Sequence, residues 1–243
     1  MPSPVETLLA LNKAFYARFG AAFAEKRPRL QPGVARLLPR IPPTARVLDV
    51  GCGHGHLLAA LRAQGFRGTY LGLDFSPALL AIARQAAVSP PPEADFRFLQ
   101  ADLTTANWAH GLPAPFDFVL AFAVLHHIPT LALRRRIVLA IRGLLRPGGL
   151  FFHSHWQFLR SPRLRARIQP WEAVGLDPAD VEPGDYLLDW RHRGQGLRYV
   201  HHASEEELHA LAAETGFRVV ETFRSDGEGG QLGLYHVWEA VGE

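Results

Sequence analysis

The segment Asp49-Val50-Gly51-Cys52-Gly53-His54-Gly55 constrains the chain more than any other. An apolar run at residues 46–50 leads into it and a helical pattern over 56–64 leads out, so the glycines lie on a strand-to-helix turn. Glycines at 51, 53 and 55 keep side chains away from a ligand that meets the backbone. A turn that seats pyrophosphate on a helix N-terminus reads Gly-x-Gly-x-x-Gly. Here the third glycine comes one residue early, and Asp49 stands just before the loop. A carboxylate at that place repels pyrophosphate and suits a cationic ligand.

The rhythm around the loop sets the fold class. Apolar runs at 46–50, 69–73, 96–99, 118–122 and 150–154 alternate with helical patterns at 56–64, 77–85 and 131–145, the last closed by Arg146-Pro147-Gly148-Gly149. Two further runs, 218–223 and 234–240, are separated only by Asp226-Gly227-Glu228-Gly229-Gly230. No crossover helix fits between them, so they pair antiparallel. A helix opens at Ser204 with Glu207 reaching back as a capping box, and it stops at Gly216. The expectation is an α/β fold: a doubly wound, seven-stranded, mostly parallel sheet with one antiparallel strand.

The flanks depart from this rhythm. Leu11, Phe15, Phe19 and Phe23, then Val34, Leu37 and Leu38, predict two short amphipathic helices within 12–38, broken around Arg27-Pro28-Arg29. The stretch 156–202 carries four prolines and three tryptophans and reads as a lid inserted after the fifth strand. With 243 residues, 48% of them hydrophobic, one domain is expected over 1–243. Its parts are a helical cap (1–43), a cofactor-binding core (44–155), the lid (156–203) and a closing helix with the antiparallel strand pair (204–243).

Two more acids stand at strand ends: Asp74 in Leu73-Asp74-Phe75, placed to accept from ribose hydroxyls, and Asp102 in Ala101-Asp102-Leu103, placed to accept from an adenine amino group. Each alone reads equally well as a helix cap or a solvated loop residue. Three in succession mark the crevice outside the carboxyl ends of a parallel sheet.

In order and spacing these residues resemble the class I methyltransferases, over residues 47–155. The resemblance implies S-adenosylmethionine as cofactor, held by Asp49, Gly51, Cys52, Gly53, Gly55, Asp74, Phe75, Asp102 and Leu103. The segment Ala121-Phe122-Ala123 is then expected to flank its methionine part.

For the methyl acceptor, the chain has Ala123-Val124-Leu125-His126-His127-Ile128-Pro129 after the fourth strand, not the Asn/Asp-Pro-Pro-aromatic segment of enzymes that methylate base amino groups. His126 is the candidate base or orienting group, against the plainer reading of a strand-to-helix turn. The flanks resemble the tRNA wobble-uridine carboxymethyl methyltransferases, which esterify a carboxymethyl group. The similarity runs from Phe15 to Val34 and through Gly184-Asp185-Tyr186, Asp189-Trp190 and Arg198-Tyr199-Val200-His201. Departures are Asp189 for proline, Val200 for tyrosine and Gln31 for tryptophan. The resemblance implies Arg27 as a catalytic residue, and Trp190, Arg198, Tyr199 and His201 as substrate contacts, with arginine neutralising a carboxylate and aromatics stacking on an unpaired base. It also implies tRNA as partner, alongside a small activating protein.

Rival expectations are a small-molecule methyltransferase, whose lid encloses an apolar pocket, and a cofactor-binding module that catalyses nothing. The net charge of +3 is compatible with RNA and equally with genome composition, because nearly every cation is arginine. The triplet Arg134-Arg135-Arg136 reads as a solvated helix face. Cys52 is the only cysteine, so no internal disulfide forms, and it reads as a small packing residue. The histidines at 153, 155, 201 and 202 lack metal-site company and read as pocket or packing residues, with no metal expected. No signal-peptide pattern and no membrane-length apolar stretch is present, so a cytoplasmic location without membrane association is expected.

Overall fold

A computed structural model describes residues 2–25 and 29–242, the side chains of 21–25 and 228 excepted. A seven-stranded sheet runs through the centre in the order β3-β2-β1-β4-β5-β10-β9. Its members are β1 (Arg46–Val50), β2 (Thr69–Asp74), β3 (Asp95–Gln100), β4 (Phe116–Phe122), β5 (Leu145–Trp156), β9 (Phe217–Ser225) and β10 (Gly233–Ala240). β10 pairs antiparallel with both β5 and β9, and the remaining pairings are parallel. The chain reverses direction across the sheet between β1 and β4. In an open α/β sheet this is where a crevice opens above the strand ends.

The central strands are near-continuous apolar runs because both faces are covered. One layer joins Leu48, Val50, Val119, Ala121 and Phe151 to Ile137, Val138 and Ile141 of α5 (Leu131–Leu144) and to Leu208 and Leu211 of α7 (Glu205–Glu214). The other joins Val47, Leu120, Phe152 and Val237 to Leu58 and Leu61 of α3 (His56–Ala63) and to Leu80 and Ala83 of α4 (Pro77–Ala86). Ser76 caps α4, its Oγ accepting from Leu79 N at 3.3 Å with Pro77 in the first turn.

Several expectations need correction. The first helix, α1 (Pro4–Glu25), is one element of 22 residues and starts well before Asn12. The second is α2 (Pro32–Leu37), continued by a 3-10 turn to Arg40, while the break expected at Arg27-Pro28 lies outside the described residues. α5 is ended by Leu145 turning extended, and the Arg-Pro-Gly-Gly stretch falls within the start of β5, at an irregularity in its pairing with β4. Ser204 caps α7, but only half of the capping box forms, because the Glu207 carboxylate turns instead to His201 and Arg134. Arg134 is not solvated. It is 2% exposed, donates to Ile128 O at 3.1 Å and pairs with Glu182 and Glu207 at 3.2 Å each.

The insertion after β5 builds a small antiparallel sheet of β6 (Ile168–Gln169), β7 (Asp185–Trp190) and β8 (Gly196–His201), with a short helix α6 (Pro162–Arg165) before it. α1 lies along this sheet. Asn12 fastens it by donating to His127 O and Tyr199 O at 3.1 Å each and accepting from Tyr199 N at 2.9 Å. Among the described residues no helix is long and apolar enough to cross a membrane.

Candidate active site

A cleft with about 260 Å³ of room opens above the carboxyl ends of β1, β2, β3 and β4. The glycine loop forms its floor. Gly51 has φ +75, and a Cβ there would come within 2.5 Å of the Val124 side chain, so the loop can press against the segment after β4 only as glycine. Gly55 has φ +80 and lies against Ala83 of α4, where a Cβ would meet backbone at 3.0 Å. Gly55 therefore serves helix packing and does not line the cleft.

The three acids converge as expected, each in a different state. Asp49 is 1% exposed and takes a hydrogen bond from Tyr70 OH. Burial pushes its carboxyl up to about 7, against the lowering effect of that bond. Among the described residues no lysine or arginine pairs with it, so a cation entering the cleft is the missing counter-charge. Asp74 spans the floor: its Oδ2 accepts from Gly53 N at 2.9 Å and its Oδ1 from Ser76 N at 2.8 Å. Burial raises its pKa while those amides oppose the rise. Asp102 is partly exposed, accepts from Thr104 N at 2.9 Å and pairs with Lys13 Nζ at 2.6 Å. Burial opposes its charge, yet Lys13 and Thr104 hold its carboxyl below the ordinary range. Phe75, Cys52 and Leu103 complete the wall, and burial pushes the Cys52 thiol far up, so it stays a neutral packing group. Ala121 lies in the core, and its neighbours Phe122 and Ala123 face the cleft instead.

α1 forms the roof with Leu9, Asn12, Lys13, Tyr16 and Gly20. None of these was expected at the site. The available signal was the pair Asn12 and Tyr16, four apart among Leu8, Leu11, Phe15 and Phe19: polar groups on a helix face that packs inward. Tyr16 OH lies 2.7 Å from His127 Nε2, at the point where the cleft meets a second one.

The second cleft, about 200 Å³, shares Gln31, Ala123 and His127 with the first and adds His126, Ser154, His155, Trp156, Arg198 and Asp226. His126 Nδ1 accepts from Trp156 N at 3.3 Å, so the neutral ring carries its proton on Nε2. His127 Nδ1 lies 3.3 Å from Tyr199 O, which can only accept; Nδ1 is thus protonated and Nε2 accepts from Tyr16. His155 is hydrogen-bonded to His153 at 3.1 Å, and burial, then neighbouring cations, drive its pKa well below the ordinary value. Both Asp226 oxygens are engaged, by Gly33 N at 3.0 Å and by Tyr235 OH. The Arg198 guanidinium lies 4.7 Å from the centre of the Trp156 ring and 5.5 Å from that of Phe15.

Of the expected substrate contacts, only Arg198 reaches this cleft. Trp190 is 6% exposed, packs edge-on to Phe15 at 5.6 Å and donates to His192 O at 2.6 Å. Tyr199 and His201 are fully buried on β8 and both bond Asp185 Oδ1 at 2.7 Å, and His201 also reaches Glu207 at 2.9 Å. These three side chains weld the lid to α1 and α7 and offer no stacking surface. Arg27 lies outside the described residues. Among the described residues no cluster of three histidines, cysteines or acids is arranged to hold a metal ion.

The chain matches the family model described as "Methyltransferase domain" over residues 23–222. Among curated relatives, the ubiquinone biosynthesis O-methyltransferase of Xylella fastidiosa (strain 9a5c) is 39% identical over 168 residues, 64% of this chain and 65% of the relative. That of Thiobacillus denitrificans (strain ATCC 25259 / T1) is 29% identical over 176 residues, 72% of this chain and 66% of the relative. The chain thus spans about 65% of the length of the curated relatives it matches. A SAM-dependent methyltransferase from Methanosarcina mazei superposes with a TM-score of 0.66 at 22% identity, over 88% of this chain and 99% of that one. A SAM-bound amino pentose methyltransferase from Micromonospora echinaspora gives 0.60 at 24%, over 92% and 96%. The chain accordingly belongs to the methyltransferase-domain family.

Proposed function

We propose that the chain is an O-methyltransferase in which the first cleft holds S-adenosylmethionine and the second an acceptor that arrives already anionic, a carboxylate. The cofactor supplies an electrophilic methyl on a sulfonium. With it bound, the acceptor oxygen's lone pair would form the new O–C bond as the C–S bond breaks and its electrons stay on sulfur. Asp49 then serves as counter-charge to the cationic cofactor, Asp74 meets its ribose and Asp102 its adenine. The protein's task is alignment and exclusion of water.

The observation that carries the carboxylate reading is the commitment of the imidazoles around the second cleft. The Nδ1 lone pair of His126 and the Nε2 lone pair of His127 are already engaged, and His155 is too weak a base to take a proton from a hydroxyl. His126, whose ring carries its proton on Nε2, and the cation Arg198 both line this cleft. Those groups suit an oxyanion and leave no proton to remove. The finer reading is a carboxymethyl group on the wobble uridine of tRNA. It is supported by the resemblance of the flanks and by Arg198 on the wall of the second cleft.

A phenol is the second reading. The relatives named for ubiquinone biosynthesis favour it, as does the Tyr16–His127 pair between the two clefts. Methyl-labelled S-adenosylmethionine separates the two. Carboxymethyluridine-bearing tRNA should take up label that mild alkali releases as methanol, as an ester does. Alkali-stable label, or transfer to a catechol with none to the tRNA, would overturn the carboxylate reading.

A further inference from the structure

Most exposed arginines of this molecule have protein partners. Arg36 and Arg40 pair with Glu221, Arg97 with Asp95, Arg135 with Glu214, Arg146 with Asp117, Arg191 with Asp189 and Arg218 with Glu239. Others, such as Arg62, Arg136 and Arg142, are spent on backbone carbonyls. Among the described residues Arg29, Arg67 and Arg84 are scattered exposed arginines without an ion pair, and one segment gathers such arginines together. Residues 118–171 contain no aspartate or glutamate, and within them Arg160, Arg163, Arg165 and Arg167 fall in eight positions. Among the described residues none of the four makes an ion pair. Arg160, Arg163 and Arg165 are exposed and Arg167 partly so.

The segment is held firmly despite its charge. Phe158 and Leu164 point inward and pack with Leu188 and Val200 of the small sheet, which turns the arginines of the 3-10 turn Phe158–Arg160 and of α6 outward. It also starts at the wall of the second cleft. Trp156 lines that cleft, lies under the Arg198 guanidinium and touches Phe158, ring centre to ring centre, at 5.3 Å. Uncompensated like charges on an anchored ridge repel one another, and a polyanion laid along it relieves that repulsion.

We propose that residues 158–168 form a phosphate rail beside the acceptor cleft, on which Arg160, Arg163, Arg165 and Arg167 bind the sugar-phosphate backbone of a single-stranded RNA loop whose modified base enters the cleft. The proposal rests on the tRNA reading above and names the surface that reading requires. RNA is favoured over an anionic lipid surface because the ridge adjoins the acceptor cleft at Trp156. It also carries arginines, whose planar forks match phosphate, and no large apolar side chain is exposed among them.

The test is binding of unmodified tRNA transcript, followed by fluorescence anisotropy over a salt series. The wild type is compared with the quadruple variant R160Q/R163Q/R165Q/R167Q and with the control R36Q/R40Q, which removes two paired arginines. Each rail contact changes the slope of log K against log salt by about 0.7, so the quadruple variant should lose about 3 from the slope, and the control almost nothing. Thermal shift with S-adenosylmethionine checks that each variant is folded and still binds cofactor. A wild type that binds tRNA with a slope the quadruple variant shares overturns the rail and leaves the acceptor reading standing. A wild type that binds no tRNA, or binds only vesicles of anionic lipid, overturns both.

Discussion

The cofactor cleft and the lid behind it were built from similar raw material, acids, aromatics and histidines at irregular spacing, yet only the first could be read residue by residue. At the strand ends, backbone geometry dictates function. A strand must stop, its last side chain must point into the crevice, and a turn that crowds Val124 or Ala83 accepts only glycine. Asp49, Asp74 and Asp102 therefore stand where the spacing placed them. In the lid, a tryptophan or histidine can face the substrate or the core, and the one-residue alternation of a strand decides which. Tyr199 and His201 share one face of β8 and turn to Asp185, whereas Arg198, one residue before Tyr199, faces the cleft. Motifs set by backbone constraint transfer from sequence to structure; side chains in an insertion do not until its partners are known.

That contrast can be broken by substitution in either half. Asp49→Asn keeps shape and removes charge. If Asp49 neutralises the cofactor, affinity for S-adenosylmethionine should fall by about a hundredfold, near 3 kcal/mol, in calorimetric titration, while the ligand-free protein unfolds no earlier. Asp185→Ala should do the reverse. It leaves the buried Tyr199 hydroxyl, a His201 nitrogen and the Glu182 amide without an acceptor, so denaturant unfolding should show a loss of about 3 kcal/mol, with a far smaller change in cofactor affinity. Equal effects of both variants on cofactor binding would dissolve the distinction between the halves.

How much was legible follows the same line. The doubly wound, mostly parallel sheet, its antiparallel member and the strands at 46–50 and 69–73 emerge from apolar runs too short for helices, because central strands are buried on both faces, whereas the strand order is seen only in the fold. The length of α1 was hidden. Its apolar positions start at Leu8, but the cues before Asn12 are weak, and only its docking on β8 through Asn12 shows why the helix runs so far. Arg134 was misjudged because a triplet of arginines says nothing about which one faces inward, and the acids that receive it, Glu182 and Glu207, lie far along the chain.

The effect of pH separates the halves more finely. His201 is buried, which lowers its pKa, but Asp185 and Glu207 raise it overall. The stabilisation from that charged pairing is present below the ordinary histidine range and is lost as pH rises through the raised value. His201→Gln should flatten that part of the stability profile, measured as Tm against pH. The smallest effect belongs to the rim. Lys13 and Asp102 are both accessible to water, so Lys13→Met should cost no more than about 1 kcal/mol of stability, a shift in Tm of a few degrees at most.

Proton release on cofactor binding tests the central claim most directly, namely that a buried carboxylate at the tip of β1 awaits a cation. With the Asp49 carboxyl raised to about 7, the ligand-free protein holds that proton at pH 6 and must lose it when the cation arrives. Calorimetric titration in buffers of different ionisation enthalpy should therefore show close to one proton released at pH 6, with affinity rising toward pH 7, and no comparable release from Asp49→Asn. Cofactor binding at pH 6 with no proton released by the wild type would contradict the account.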